Sequence, residues 1–147
     1  MTARREVRIT RTFDAPRELV FRAWLEPDQI AEWWAPEGTE MPRSSLKVDA
    51  RQGGVIEYSM VDPSSGLAYP VVFEIVELIE PELLVFESPA QPQVGLPHRT
   101  TTRVIFEEDG ERTTVTVTQG PHTDEMVPDA HAGWASVLDN LDALLAG

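Results

Sequence analysis

The chain has 147 residues, 41% apolar and 25% charged, a length and composition that suit one ordinary globular core. Twelve Lys and Arg stand against 25 Asp and Glu, and the formal net charge of −13 repels nucleic acid and anionic membranes, so neither is expected as a partner. With no cysteine, a disulfide framework, a thiolate nucleophile and a Cys-based zinc site are excluded.

Met1 to Glu6 carries basic residues with no apolar stretch after them, so no secretory signal is evident. No run approaches the ~18 apolar residues of a membrane-spanning helix. A cytoplasmic location is the expectation. Residues 4–14 alternate, with Val7, Ile9, Arg11 and Phe13 on one face, and predict a strand. Pro16 suits the first turn of a helix over 16–24, and Glu26-Pro27-Asp28 breaks it. A second short helix, about 28–34, carries Ile30, Trp33 and Trp34. Strands follow at Leu46–Ala50, Val55–Met60, Leu67–Ile79 and Leu83–Glu87, separated by Gly- and Pro-containing turns. Pro89 to Pro97 reads as a loop. Residues 99–107 and 113–119 flank an Asp109-Gly110 hairpin turn.

From His122 to Ala146 the spacing changes. Val127, Ala130, Trp134, Val137, Leu141 and Leu144 recur at intervals of three and four, widened by Met126, Leu138 and Leu145. Pro128 lacks the N–H of an interior helical position. Regular helix is therefore expected from near Pro128, after an irregular lead-in. The order β-α-α-β-β-β-β-β-β-α, with short turns, predicts an α+β fold: a curved antiparallel sheet closing on a long C-terminal helix. Residues 1–147 are expected to form a single domain.

Several phrases of the chain carry a resemblance. Arg11-Thr12-Phe13-Asp14-Ala15-Pro16 leads into Val20-Phe21-Arg22-Ala23-Trp24, then Pro27-Asp28 and Trp33-Trp34. Asp49-Ala50-Arg51-Gln52-Gly53-Gly54 and Gly133-Trp134, with Leu138 and Leu141, come later. Together they resemble the activator-of-heat-shock-chaperone-ATPase homologue family of the START-related (SRPBCC) superfamily. The resemblance implies a helix-grip (START-like) fold with a hydrophobic cavity between sheet and helix. Lipid and hormone binders, polyketide cyclases and co-chaperones share that superfamily. The co-chaperone that gives the family its name uses an added N-terminal domain, for which 147 residues leave no room, so a chaperone partner is not expected.

Tyr58, Met60, Tyr69, Phe73 and Phe86 occupy strand faces that either fill the core or line a pocket. Trp34, Trp134 and Leu138 pack the core or edge that pocket. Arg11 and Arg103 either face solvent or point inward toward Glu57, Glu74 or an anionic ligand group. Of the three histidines, His98 and His122 read as solvated or capping. His131 lies roughly 80° off the apolar stripe, at a boundary or at a cavity rim where acid–base work is chemically feasible. No HExxH or comparable metal pattern is present, and no cofactor is implied. Gly133 costs about 1 kcal/mol relative to Ala in a helix, which close packing or space left for something else explains, close packing being the simpler cause.

The expectation is a binding domain for an apolar or amphipathic small molecule. Its candidate cavity residues are Trp34, Tyr58, Met60, Tyr69, Phe73, Phe86, Arg103, His131, Trp134 and Leu138. No catalytic set is nominated. A cyclase- or dehydratase-like reaction in the same cavity, using His131 or an inward Arg/Glu pair, is the enzymatic alternative. A chaperone-linked interaction module is the third reading. A homodimer through exposed Trp33, Trp34 and the 89–97 loop is left open.

Overall fold

Apolar alternation with period two builds most of the molecule, because alternate side chains of a strand share a face. Residues 5–35, 38–91 and 98–146 are described by the structure, a computed structural model. Strand β1 is Arg5–Phe13, and the helices α1, Arg17–Ala23, and α2, Pro27–Trp33, follow it. Pro16 stands just before α1 with an extended ψ of 153°, whereas Pro27 opens α2, where a missing N–H is harmless. A 3-10 turn at Arg43–Ser45 leads to β2, Lys47–Val48, which is shorter than the expected Leu46–Ala50. The remaining strands are β3 (Val55–Val61), β4 (Ala68–Ile79), β5 (Leu83–Ser88), β6 (Thr100–Asp109) and β7 (Arg112–His122). Helix α3 spans Val127–Ala146.

All seven strands join one antiparallel sheet in the order β1-β7-β6-β5-β4-β3-β2. Strands β2 through β7 thus lie beside their neighbours in sequence, and the first strand closes on the last. The β6–β7 hairpin loop is Gly110-Glu111, one residue later than the Asp-Gly pair implied. Gly110 has φ +65°, and among the described residues only glycines have positive φ, which matches a type II′ turn.

The concave face carries Ile56 and Tyr58 of β3, Val71 and Ile75 of β4, Leu84 and Phe86 of β5, Val104 and Phe106 of β6, and Val115 and Val117 of β7, all buried. Trp24, fully buried, lies at the centre of the aromatic packing. Its ring meets Trp33 at 4.7 Å, Trp34 at 5.6 Å, Phe106 and Trp134 at 6.0 Å, and Phe86 at 6.4 Å. Trp33 and Trp34 are buried too, so neither presents the exposed surface expected for a dimer contact, and residues 92–97 of the expected loop lie outside the described residues. Trp33 Nε1 donates to the Ala23 carbonyl at 2.9 Å, which ties α2 to α1.

Helix α3 crosses the concave side and packs chiefly on β1 and α2. Val137, Leu138 and Leu141 are its buried residues, all members of the predicted stripe. The lead-in is a turn in which the N–H groups of Met126 and Val127 bond the Thr123 carbonyl at 3.0 and 3.2 Å. Arg11, the odd residue on the inner face of β1, does not reach Glu57 or Glu74. It pairs with Asp139 of α3 at 2.5 Å. Asn140 Nδ2 donates to the Trp33 and Ala35 carbonyls at 3.4 and 3.3 Å and so fastens α3 to the end of α2.

Truncation of the central ring tests this packing. Trp24→Ala is expected to destabilise the fold by about 3–5 kcal/mol, the range for removing a buried aromatic side chain. Urea unfolding followed by far-UV circular dichroism measures the loss.

Candidate functional site

The inner face is not filled from end to end. Where the N-terminal half of α3 passes β3, β4 and the end of β7, a cavity of about 380 Å³ remains. Trp34, Tyr58, Met60, Val71 and Phe73 line one part, and Gln119 and His122 of β7 line another. Met126, Asp129, Ala130, Gly133, Trp134 and Val137 line the helix side. Met126, Ala130, Gly133 and Val137 follow the three- and four-residue spacing of one helical face. The helical stripe thus serves the cavity at its start and the core further along.

Among the sequence candidates, Trp34, Tyr58, Met60, Phe73 and Trp134 share this wall. The others lie elsewhere. Phe86 is on the correct sheet face but sits in the core, with its ring 6.2 Å from Trp34 and 6.4 Å from Phe73. Leu138 is fully buried in the core. Tyr69 is half-buried further along β4, outside the wall. Arg103 alternates with buried Thr102 and Val104 and is exposed, on the outer face of the sheet. His131 is exposed on α3 and takes no part in the wall.

His122, read from sequence as solvated or capping, is one of three polar wall residues that sequence reasoning missed, with Gln119 and Asp129. It is 2% exposed and lines the cavity. A regular strand would turn residues 119 and 122 to opposite faces. The register shows how both come inward. Val7 pairs with Gln119 but Arg5 pairs with His122, so β7 holds one extra residue between these pairs. This bulge at Gly120-Pro121 reverses the alternation and re-aims His122. Gly120 is required there, since a Cβ would lie 2.9 Å from the Arg5 carbonyl oxygen.

Thr102, Gln119 and His122 form a polar chain. Gln119 faces Thr102 across the β6–β7 ladder, and its Nε2 donates to Thr102 Oγ1 at 2.9 Å. The carboxamide oxygen of Gln119 therefore faces His122 Nε2, 3.1 Å away. An oxygen of this kind accepts only, so Nε2 carries the imidazole proton and Nδ1 keeps its lone pair. His122 Nδ1 is buried and has no hydrogen-bond partner. Burial, with a smaller repulsion from His98, pushes the His122 pKa down from its ordinary value and keeps the ring neutral.

Tyr58 supplies a second polar atom. Its hydroxyl oxygen accepts from Trp34 Nε1 at 2.9 Å, leaving its own proton to donate. Burial pushes this phenol pKa up, against a smaller opposing effect of the Trp34 bond, so the proton stays on. Among the described residues that line the cavity none is Lys or Arg, and Asp129 is their one carboxylate. Among the described residues, no cluster of His, Asp and Glu could hold a metal ion, and no helix is long and apolar enough to cross a membrane.

Gly133 has no close packing role. A Cβ built there meets nothing within 4 Å, so the glycine stands against open space in the cavity.

A curved antiparallel sheet gripping a long C-terminal helix, with two short helices after the first strand, defines the helix-grip (START-like) class. The family model described as "Activator of Hsp90 ATPase homolog 1-like protein" matches residues 14–146, and the chain belongs to that family. A protein from Chromobacterium violaceum has a solved structure that superposes with a TM-score of 0.85 at 26% identity, over 97% of each chain. One from Nitrosomonas europaea superposes at 0.81 with 23% identity, over 99% of this chain and 97% of its own. The AHSA1 protein from Silicibacter pomeroyi superposes at 0.79 with 24% identity, over 97% and 98%. No curated protein matches the sequence.

Two outcomes follow from the site. Gly133→Ala is expected to stabilise the protein by about 0.5–1 kcal/mol, because alanine removes the helix penalty of glycine without meeting any atom; the urea midpoint measures it. The second concerns pH. The native His122 pKa lies below the ordinary 6.5, so an unfolded chain binds the proton more readily. Stability from this group is complete above that ordinary value and falls as the pH drops through it toward the native pKa. The difference in urea midpoint between wild type and His122→Gln, followed from pH 8 down to 5, is expected to shrink accordingly.

Proposed function

We propose that the chain is a small-molecule binding protein that holds an apolar or amphipathic ligand between the sheet and α3. The cavity carries this reading: its about 380 Å³ falls at the small end of the roughly 300–1,000 Å³ typical of ligand sites. Aromatic and aliphatic side chains with a few polar atoms make up its wall, the usual composition of such sites. The family supports the reading at the level of the fold, since this fold commonly holds ligands. Acid–base chemistry resting on His131 finds no support in the cavity, because that side chain is exposed.

Filling the space tests the proposal. Gly133→Leu points a side chain into the cavity from a position where a Cβ meets no atom, and leucine is a better helix former than glycine. Wild type is expected to enhance the fluorescence of the neutral dye N-phenyl-1-naphthylamine at micromolar concentration. Gly133→Leu is expected to fold normally and weaken dye binding at least tenfold. Equal enhancement by both proteins would exclude this cavity as the binding site.

A further inference from the structure

Charge on the cavity wall has one sign. Asp129 lies in the first turn of α3, exposed at the edge of the wall, and its carboxylate has no hydrogen bond or ion pair among the described residues. Helical side chains lean toward the N-terminus, so a side chain at position 133 would reach back over Asp129. Gly133 has none, and the carboxylate stays open to solvent and cavity. No Lys or Arg among the described wall residues balances it. Arg5, which pairs with His122 across the β1–β7 ladder, is taken up by Asp124 at 3.1 Å. The His122 ring, kept neutral by burial, neither offsets the carboxylate nor repels a cation.

The start of a helix ordinarily favours an anion. Here it offers little to one. The N–H groups of Met126, Val127 and Ala130 bond carbonyls of the preceding turn, Pro128 has no N–H, and Asp129 adds a negative charge to the same turn. An anion in the cavity would lose hydration with no counter-charge, and the chain's net charge of −13 repels it from a distance. Aromatic rings supply the complementary surface for a cation. Trp34, Tyr58, Phe73 and Trp134 share the wall, and Phe73 and Trp134 are only half-buried. Such rings attract a cation within about 6 Å, Trp most strongly.

We propose that the ligand is an amphipathic organic cation, an amine or quaternary ammonium compound whose apolar body lies against the aromatic wall and whose charge sits beside Asp129. This rests on the cavity being a ligand site, and it adds the sign of the ligand's charge. At the exposed edge the charge keeps part of its hydration and avoids the cost of full burial. Fatty acids and phosphorylated lipids are disfavoured by the same wall.

Three matched probes test it at pH 7.5 by isothermal titration calorimetry: 2-naphthylmethylamine, a cation at that pH, 2-naphthylmethanol and 2-naphthoate. Wild type is expected to bind the amine about five- to tenfold more tightly than the alcohol, and the carboxylate most weakly. Sodium chloride at about 0.5 M should narrow the advantage of the amine, because it screens a charge pair at an exposed edge. Asp129→Asn should bring the amine to within about twofold of the alcohol. Glu125→Gln removes the same charge from an exposed residue outside the wall and should leave the preference in place. Gly133→Leu should weaken the amine at least tenfold, as binding in the cavity and not on the acidic surface requires. Equal affinity for amine and alcohol, a preference that survives Asp129→Asn, or an equal loss in Glu125→Gln overturns the pairing with Asp129 and leaves the cavity as a site for neutral ligands. Undiminished amine binding in Gly133→Leu, or tightest binding by 2-naphthoate, overturns it as well. If none of the probes binds and the neutral dye also fails, the ligand-site reading falls along with this one.

Discussion

Burial of one indole organises this molecule. Trp24 leaves α1 and enters a ring of five aromatic partners drawn from α2, β5, β6 and α3. Elements distant in sequence thus share a single apolar contact. At about 25 cal/mol per Å², burying the roughly 150–250 Å² of an aromatic side chain stabilises a small core more than most other residues can. The position of Trp24 also fixes where the interior is solid. The cluster fills the space between α1, α2, β5 and β6, while the cavity lies where the N-terminal half of α3 passes β3, β4 and the end of β7.

The two parts of the interior are joined by shared side chains. Trp34 touches Trp24 with its ring and gives its N–H to Tyr58, so one residue is core on one side and cavity wall on the other. Trp134 stacks on Trp24 and faces the cavity as well. The shape of the wall is therefore coupled to the packing of the core. At the far flank the wall depends on backbone instead, through the extra residue of β7 that points His122 inward.

Strands and the long helix were legible because they obey simple periods. Val7, Ile9 and Phe13 alternate, and Trp134, Val137 and Leu141 recur at helical spacing, as burial on one face demands. Periodicity names a face but not a depth. Tyr58, Phe73 and Phe86 all face inward, yet two line the cavity and Phe86 lies in the core, a distinction set by sheet curvature and by the rings of α1 and α2. His122 escaped for a different reason. Its facing depends on one inserted residue in β7, and alternation counted from Val117 turns it outward. The Gly120-Pro121 pair was the available signal, since both residues are poor in a regular strand interior. Gly133 shows the opposite case: the helix penalty was legible, but its cause was open space and not close packing.

The unmatched Nδ1 of His122 has a thermodynamic meaning for the fold. A buried acceptor without a donor costs about 1–3 kcal/mol, against a total stability for a domain of this kind of about 5–15 kcal/mol. The native state thus carries a local destabilisation at the end of β7, imposed by the same extra residue that turns the His122 ring inward. The strand end where β1 closes the sheet is therefore held by its neighbours rather than by its own polar bonding.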